Sequence, residues 1–349
     1  MRILFAGTPE PAAHVLRHLL GDSPHEVVAV LTRPDARRGR GRSLHPSPVA
    51  EVAGAAGVPV HRWSSLKPGA PDADRIREIL RGYADTGVDA VAVVAYGQIL
   101  PSDVLDIFRF GWINLHFSLL PRWRGAAPVQ AAIAAGDRVT GATTFRIVPA
   151  LDAGPVIGTV EETVTPTDTA DDLLTRLTVS GGELLSQSLT GLESGTAVVT
   201  EQPDHGATYA GKITTADARV DWRRPAAVIQ RVTRAHTPAP GAWTTLDGER
   251  YKLGLLLPVT QEAELSPGEV LAGKSRVLVG TGDAALEITR IQPPGRKMMT
   301  AADWARGRGD LGGKGSTGEA RTVVFDPVPD PVPDRGPDPV PEQMPEGEQ

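Results

Sequence analysis

The run VDAVAVVAYG at residues 88–97 constrains the fold more than any other part of the sequence. Apart from Asp89, its first nine residues are apolar or aromatic, and valine is the commonest of them. The run lacks the polar–apolar alternation of a strand that faces water on one side. Strands without this alternation are typical of the centre of a parallel sheet, where helices cover both faces. The run therefore predicts an α/β domain built on a central parallel sheet.

Strand and helix patterns alternate on both sides of this run. The strand patterns are RILFAG, HEVVAVLTR, VPVHRW, WINLHF, GATTFRIV and GPVIGTVEETV, and the helix patterns are PEPAAHVLRHLL, SPVAEVAGAAG, DADRIREILRGY and ADDLLTRLTVSGGELLSQSL. This alternation predicts a Rossmann-like, doubly wound parallel sheet over about residues 1–190.

The pattern changes after about Tyr209. Short segments in which valine, leucine and threonine alternate between glycine turns follow, namely AWTTLDGERYKL, GEVLAG, RVLVGTG and AALEITRIQ. They are typical of a small OB-like β-barrel. We therefore predict a first domain over residues 1–205, with a linker at about 190–205, and a β-barrel domain over residues 206–312.

The C-terminal part, residues 313–349, is predicted to be a disordered tail. It contains PVPDPVPDRGPDPVPE, whose repeated proline and aspartate favour extended chain without a core. Residues 326–349 hold seven acids and one arginine, a net charge of −6 that equals the formal charge of the whole chain. The rest of the chain is therefore neutral overall. Truncation after Gly312 is expected to leave the activity of the protein intact.

Composition excludes several classes of protein. The chain has no cysteine, so disulfides, thiolate metal sites and cysteine nucleophiles are excluded. No stretch approaches the ~20 apolar residues that span a membrane. The N-terminal MRILFAGTPEP lacks the long apolar core of a signal peptide. The expectation is a cytoplasmic protein with no membrane segment.

Candidate chemistry lies in the strand WINLHF and shortly after it. Asn114 and His116 are two residues apart, so their side chains share one face of the strand. An isolated pair of this kind is most often a hydrogen-bonded structural pair, because unpaired polar groups are costly to bury. Asp152, in PALDAGPV, is a loop carboxylate suited to orient an imidazole. Ligands of parallel sheets bind beyond the carboxyl ends of the strands, where these side chains would meet.

The stretch RPDARRGRGR at residues 33–42 carries five arginines and one acid. In addition, the predicted second domain has a net charge of +4, whereas residues 1–205 have a net charge of −5. A basic segment and a basic domain are modest indications of a nucleic-acid partner.

Seven motifs, taken in order over residues 1–311, resemble those of bacterial methionyl-tRNA formyltransferases. They are FAGTPEPA, RPD followed by GRGRSLHPSPV, AYGQILP, NLHFSLLPRWRGAAPVQ, LDAGPV, DWRRPA and TPAPGAW. The SLLP block with Asn, His and a downstream Asp is shared by the wider group of enzymes that use 10-formyltetrahydrofolate. The resemblance implies transfer of a formyl group from this co-substrate to the methionine amine of initiator Met-tRNA. It implies no metal, no membrane and no protein partner.

The same resemblance assigns roles to individual residues. Asn114 would donate a hydrogen bond to the formyl oxygen, His116 would shuttle the proton, and Asp152 would hold its tautomer. The residues implied to contact the folate are Ser118, Leu119, Leu120, Pro121, Tyr96 and Gly97. The residues implied to contact the tRNA are Arg37, Arg38, Arg40, Arg42 and Lys212. Gly39 and Gly41 are expected to let the arginine stretch flex before it meets RNA.

One position departs from the family pattern. Ala150 stands where the family usually has glycine, two residues before the aspartate. If that position requires a positive φ, alanine is strained there, and we expect a small adjustment of the loop.

Two alternative functions remain open from the sequence. The first is a formyltransferase or hydrolase of the same group with another acceptor, such as a sugar nucleotide or glycinamide ribonucleotide. The second is a non-catalytic RNA-binding α/β protein that uses the arginine stretch and the β-barrel. The set formed by Asn114, His116 and Asp152 favours an enzyme, because a pure binding protein has no use for it.

Overall fold

The computed structural model describes residues 1–38, 43–203, 205–259, 263–308, 311 and 322–328. The chain separates into two compact units. The first comprises Met1–Pro128, Arg138–Val164 and Asp172–Thr208, and the second comprises Val129–Asp137, Thr165–Asp171 and Tyr209–Gln349. Within the described ranges, no helix has both the length and the hydropathy required to cross a membrane.

Among the described residues, ten strands and six helices precede Thr208. The strands are β1 (Arg2–Gly7), β2 (Glu26–Thr32), β3 (Ala36–Arg38), β4 (Ser43–His45), β5 (Val60–Arg62), β6 (Ala90–Val94), β7 (Trp112–His116), β8 (Arg124–Gly125), β9 (Val139–Arg146) and β10 (Val156–Thr163). The helices are α1 (Glu10–Gly21), α2 (Pro48–Ala55), α3 (Ala73–Asp85), α4 (Ser102–Leu105), α5 (Pro128–Ala135) and α6 (Ala170–Ser194).

The first unit is built on a seven-stranded sheet in the order β10-β9-β7-β6-β1-β2-β5. The strands β5, β2, β1, β6 and β7 are parallel to their neighbours in this order. Every residue of β6 is buried, as the apolar run at its position predicts. The prediction of a central parallel sheet is therefore confirmed.

The prediction that the whole sheet is parallel is wrong for its last two strands. β9 pairs antiparallel with β7, and β10 pairs antiparallel with β9. Only residues 147–155 connect β9 to β10. A parallel pair needs a crossover of a dozen or more residues, usually a helix, so this short connection imposes an antiparallel pair.

The helix α6 continues without a break through Gly181 and Gly182. A Cβ atom on Gly181 would lie 3.0 Å from the side chain of Leu115 in β7. A Cβ atom on Gly182 would lie 3.6 Å from the ring of His18 in α1. Gly181 thus lets α6 approach β7, the strand that carries Asn114 and His116, whereas the distance at Gly182 is an ordinary van der Waals contact.

The remaining elements follow Thr208. The strands are β11 (Tyr209–Ala210), β12 (Trp243–Leu246), β13 (Glu249–Leu253), β14 (Leu256–Pro258), β15 (Glu269–Ala272), β16 (Val277–Gly280), β17 (Ala285–Ile288), β18 (Arg290–Gln292), β19 (Met299–Thr300) and β20 (Thr322–Val324). The helices are α7 (Ala226–Ala235) and α8 (Ala301–Arg306), with a 3-10 turn at Ala216–Ala218.

The second unit contains two antiparallel sheets, β12-β13-β18-β19 and β14-β17-β16-β15-β20. Side chains from both sheets and from α7 and α8 share one hydrophobic core, which includes Trp222, Leu253, Val279 and Trp304. The predicted succession of short strands is therefore present, whereas closure into an OB-like barrel stays a prediction.

The predicted disordered tail is wrong for residues 322–328. β20 pairs with β15 at the edge of the five-stranded sheet. Phe325 is 1 % exposed, and its ring stacks on Trp222 at 5.4 Å and on Trp304 at 6.3 Å between centroids. The reason is the buried ring of Phe325, with Val328 also buried and Val323 packed against the same core, whereas Val324 is exposed. The rest of the predicted tail, residues 313–321 and 329–349, lies outside the described residues.

Candidate active site

The strand β7 carries the two polar side chains predicted to share a face. Asn114 lies opposite Phe145 of β9, and His116 lies opposite Thr143. Directly opposed residues of an antiparallel pair point to the same side of the sheet, so these four side chains form one polar and aromatic surface. The rings of His116 and Phe145 meet edge to face, 6.4 Å apart. His116 is buried and Asn114 is half-buried.

A main-chain carbonyl determines which nitrogen of His116 carries the proton. The Nε2 atom lies 2.8 Å from the carbonyl oxygen of Trp123. A carbonyl only accepts hydrogen bonds, so Nε2 is the donor and Nδ1 is the basic nitrogen of the neutral ring. Trp123 is itself held in place. Its main-chain N–H donates to Thr208 Oγ1 at 2.9 Å, and the Arg122 guanidinium lies 4.4 Å from the centroid of its ring.

Asp152 lies on the basic side of this imidazole. Its Oδ2 atom is 3.9 Å from His116 Nδ1, too far for a hydrogen bond. The same oxygen accepts a hydrogen bond of 2.8 Å from the N–H of Gly125. The expectation that Asp152 holds the tautomer is therefore not met, because the Trp123 carbonyl does so. The carboxylate is instead placed to stabilise the ring once it is protonated.

The loop that carries Asp152, residues 147–155, runs along the face of β7. It leaves β9 beside Trp112, since the N–H of Ile147 donates to the Trp112 carbonyl at 2.8 Å. Trp112 and His116 are four residues apart, or roughly 13 Å along a strand. Asp152 therefore approaches His116 from a loop that lies along the face of β7, and not from the carboxyl end of a neighbouring strand. The end of the loop packs closely against the end of β9. A Cβ atom on Gly154 would lie 1.8 Å from the Arg146 carbonyl oxygen, so only glycine fits at this position.

Alanine at position 150, where the family usually has glycine, does not adopt a strained backbone conformation. The residue with the left-handed backbone is Asp152, with a φ of 48°, and Ala150 is not among the non-glycine residues with positive φ. The condition under which alanine would be strained is therefore not met.

The predicted folate segment 118–121 is fixed against β9. Thr143 Oγ1 donates to the Ser118 carbonyl at 2.7 Å and accepts from the Leu120 N–H at 3.2 Å. Ser118 is fully buried, while Leu119, Leu120 and Pro121 are half-buried. The segment therefore offers apolar surface on a main chain that is held in place.

Tyr96 and Gly97, the other two residues predicted to contact folate, lie in different surroundings. Tyr96 is 2 % exposed and packs in the hydrophobic core, where burial raises the pKa of its hydroxyl. That hydroxyl has no hydrogen-bond partner among the described residues. Gly97 has a φ of 73°, and the side chain of Arg33 lies 3.9 Å from the position its Cβ would take. The contact of these residues with folate stays a prediction, and the side chain of Tyr96 belongs to the core.

Part of the arginine stretch, Ala36–Arg38, forms the strand β3, which the sequence had not suggested. β3 pairs with β4, so that Arg37 lies opposite Leu44 and Arg38 opposite Ser43. Arg37 is exposed. Arg40 and Arg42, and the glycines expected to flex between them, lie outside the described residues. Asp35, the acid of the stretch, is paired with Arg62 at 3.0 Å.

Lys212, the remaining residue predicted to contact tRNA, is exposed in the second unit. Three residues of the active site were missed from the sequence, namely Trp123, Gly125 and Gln202. Trp123 and Gly125 act through the main chain, so their side chains give no signal. Gln202 lies in the segment predicted as a linker, yet its amide nitrogen donates to the Asp152 carbonyl at 2.8 Å.

Comparisons with known proteins agree with this arrangement. The formyl transferase family model matches residues 1–189, and the model of the formyl transferase C-terminal domain matches residues 212–309. Among solved structures, a sugar 3N-formyl transferase has a TM-score of 0.62 at 15 % identity and covers 85 % of this chain and 99 % of that chain. An N-formyltransferase from Helicobacter canadensis has a TM-score of 0.61 at 15 % identity and covers 82 % and 97 %. These two likenesses concern the fold alone.

Curated relatives are much more similar in sequence. The methionyl-tRNA formyltransferase of Corynebacterium jeikeium is 60 % identical over 313 residues, which are 89 % of this chain and 96 % of that protein. The methionyl-tRNA formyltransferase of Streptomyces coelicolor is 54 % identical over 307 residues, which are 88 % and 96 %. The chain therefore belongs to the methionyl-tRNA formyltransferase family.

Proposed function

We propose that the protein transfers the formyl group of 10-formyltetrahydrofolate to the α-amino group of methionine on initiator tRNA. The observation that carries the proposal is the placement of the Asp152 carboxylate 3.9 Å from the basic nitrogen of His116, beside Asn114, in a chain of this family.

The reaction requires one bond to form and one to break. The neutral amine of methionine attacks the formyl carbon, and negative charge develops on the formyl oxygen. Collapse of this intermediate breaks the bond between the formyl carbon and N10 of the folate. The attacking nitrogen loses one proton and N10 gains one, so protons balance and no step requires a metal.

Asn114 is the donor for the developing oxyanion. Its side chain is half-buried on the face of β7 that also carries His116, and its amide N–H can donate to a formyl oxygen there. One donor of this kind typically contributes ~3–4 kcal/mol to the stability of the transition state.

His116 moves the proton. Its Nδ1 atom is free to take a proton from the attacking nitrogen, because the Trp123 carbonyl binds the Nε2 proton. The imidazolium then forms beside the carboxylate of Asp152, which stabilises it, and the proton passes to N10. General acid–base catalysis of this kind contributes roughly 10²–10⁴ in rate.

The folate lies against residues 118–121, with Leu119 and Leu120 as apolar contacts and with Tyr96 and Gly97 at the neighbouring strand end. Support comes from the half-buried, fixed main chain of this segment. The sugar 3N-formyl transferase of similar fold was solved in the presence of 5-N-formyl-THF, and the enzyme from Helicobacter canadensis was solved in complex with folinic acid.

The tRNA acceptor end binds the arginine stretch, with Lys212 as a further contact. Exposed Arg37 and the local excess of positive charge support this assignment. Contacts of this kind go mainly to phosphates, and they position the RNA without reading its sequence.

Replacement of Arg37, Arg38, Arg40 and Arg42 by alanine is expected to weaken tRNA binding and to reduce its dependence on salt. The slope of log Kd against log salt should fall by ~0.7–0.9 for every phosphate that the variant no longer neutralises. Binding titrations at several salt concentrations measure this slope. The control replaces Arg75 and Arg81, two exposed arginines of α3, and should leave the slope unchanged. An unchanged slope in the variant without the four arginines would show that the arginine stretch is not part of the tRNA interface.

The function itself is tested by a formylation assay with 10-formyltetrahydrofolate. Initiator Met-tRNA should be formylated far faster than elongator Met-tRNA. Turnover with an amino sugar nucleotide or glycinamide ribonucleotide, and none with Met-tRNA, would favour another acceptor. Tight tRNA binding without any turnover would favour the non-catalytic RNA-binding protein.

A further inference from the structure

We propose that Gln202, together with Arg124, is a positioning residue that holds the Asp152 loop in register with His116. This inference rests on the proposed function, since it concerns the geometry of the same reaction.

The primary amide of Gln202 uses its full hydrogen-bonding capacity. Its Nε2 atom donates to the carbonyl oxygens of Asp152 and Gly154, each at 2.8 Å. Its Oε1 atom accepts from Arg124 Nε at 3.1 Å and from Arg124 Nη2 at 2.6 Å. A primary amide has two donor hydrogens and two acceptor lone pairs, so this one side chain makes four hydrogen bonds at once.

The two anchors on Asp152 converge on one dipeptide. Gly125 binds the carboxylate of Asp152 through its N–H, and the adjacent Arg124 holds the glutamine that binds the carbonyl of the same residue. Gln202 is placed by a bridge between Thr200 and Val156, with N–H to carbonyl distances of 2.8 and 2.9 Å. The position of the carboxylate is therefore set from both its side chain and its main chain.

Asp152 needs such anchors because its backbone is unfavourable. Its φ of 48° is a conformation that residues other than glycine rarely adopt, and such residues persist where their surroundings over-determine them. Without the amide of Gln202 the loop is free to relax toward ordinary backbone angles. A displacement of about 1 Å in a group that positions a reaction can cost 10²-fold in rate.

The test is a set of variants assayed with initiator Met-tRNA. Gln202→Ala removes all four bonds, and Gln202→Glu keeps the shape and the pairing with Arg124 but loses both donor hydrogens. Both should lower kcat by ~10–100-fold, as expected for residues that orient a reacting group. The KM values for the folate and for Met-tRNA should stay within about two-fold of the wild type, and thermal unfolding should stay similar. Unchanged kcat, or a loss that appears only in KM, would overturn the positioning role.

A double-mutant cycle separates positioning from general support of the fold. If Gln202 acts through Asp152, then Gln202→Ala should change kcat by less than about two-fold in the Asp152→Ala background. Losses that multiply would overturn the inference while leaving the proposed function in place. A wild-type chain that does not formylate Met-tRNA would contradict both.

Arg124→Lys provides a milder variant in case the glutamine variants unfold. Lysine keeps the positive charge but lacks the planar fork that binds Gln202 Oε1 through two nitrogens. We expect a three- to ten-fold loss of kcat, roughly the lower part of the range for orienting residues. Wild-type kcat in this variant would count against the inference.

Discussion

Replacement of His116 by alanine is expected to lower kcat by at least ~10²-fold while the chain folds as before. The reason is that the imidazole is the group placed to move a proton, with Nε2 bound to the Trp123 carbonyl and Nδ1 facing the Asp152 carboxylate. Single-turnover formylation of initiator Met-tRNA measures the chemical step, and circular dichroism measures the fold.

A matched variant separates the proton transfer from the structural bond. His116→Gln retains an amide N–H that can donate to the Trp123 carbonyl, but it has no basic nitrogen. It should therefore lose as much activity as His116→Ala. His14→Ala, which removes an exposed histidine of α1, should leave kcat unchanged. Near-wild-type turnover by His116→Gln would show that the imidazole serves only to bind the Trp123 carbonyl.

The second large effect is expected at the C-terminal strand. Phe325→Ala should lower the free energy of unfolding of the second unit by about 3–5 kcal/mol, the usual cost of removing a buried phenylalanine ring. Phe325 is 1 % exposed and stacks on two tryptophans, so the cavity would be lined by large, rigid rings. Urea unfolding followed by tryptophan fluorescence measures the change, because Trp222 and Trp304 report on this part of the core.

Truncation after Gly312 should destabilise the second unit at least as much, since it also removes β20 and the Asp326 carboxylate. That carboxylate accepts hydrogen bonds from the N–H groups of Asp247 and Gly248 at 3.1 and 2.8 Å. A chain that ends at Asp330 retains all these groups and should unfold like the full chain. Equal unfolding midpoints for the two truncated chains would restore the interpretation of residues 313–349 as a simple tail.

The catalytic strand could be predicted from the sequence because its signals are local. The apolar run of β6 and the two-residue spacing of Asn114 and His116 depend only on strand periodicity. The directions of β9 and β10 were not predicted, because β9 is buried along most of its length, as the parallel strand β6 is. The length of the connection over residues 147–155 was the available signal.

Contacts made by main-chain atoms could not be predicted from the sequence. Any residue at position 123 has a carbonyl oxygen, so nothing in the letter W marks the partner of His116. The same holds for the N–H of Gly125. The strand β20 was missed for another reason, because three residues are too few to show a period and the proline repeats that follow dominate the composition.

The position of β20 also bears on how the protein behaves at high concentration. β20 hydrogen-bonds along one side of β15, which would otherwise present unpaired N–H and carbonyl groups. Such an edge is a template for pairing with another chain, and proteins commonly cover it. The edge is instead β20, a strand of three residues with Pro327 shortly after it, which is a poorer template for pairing. A shortened chain would expose the edge of β15, and it would lose solubility through self-association as well as losing part of its core.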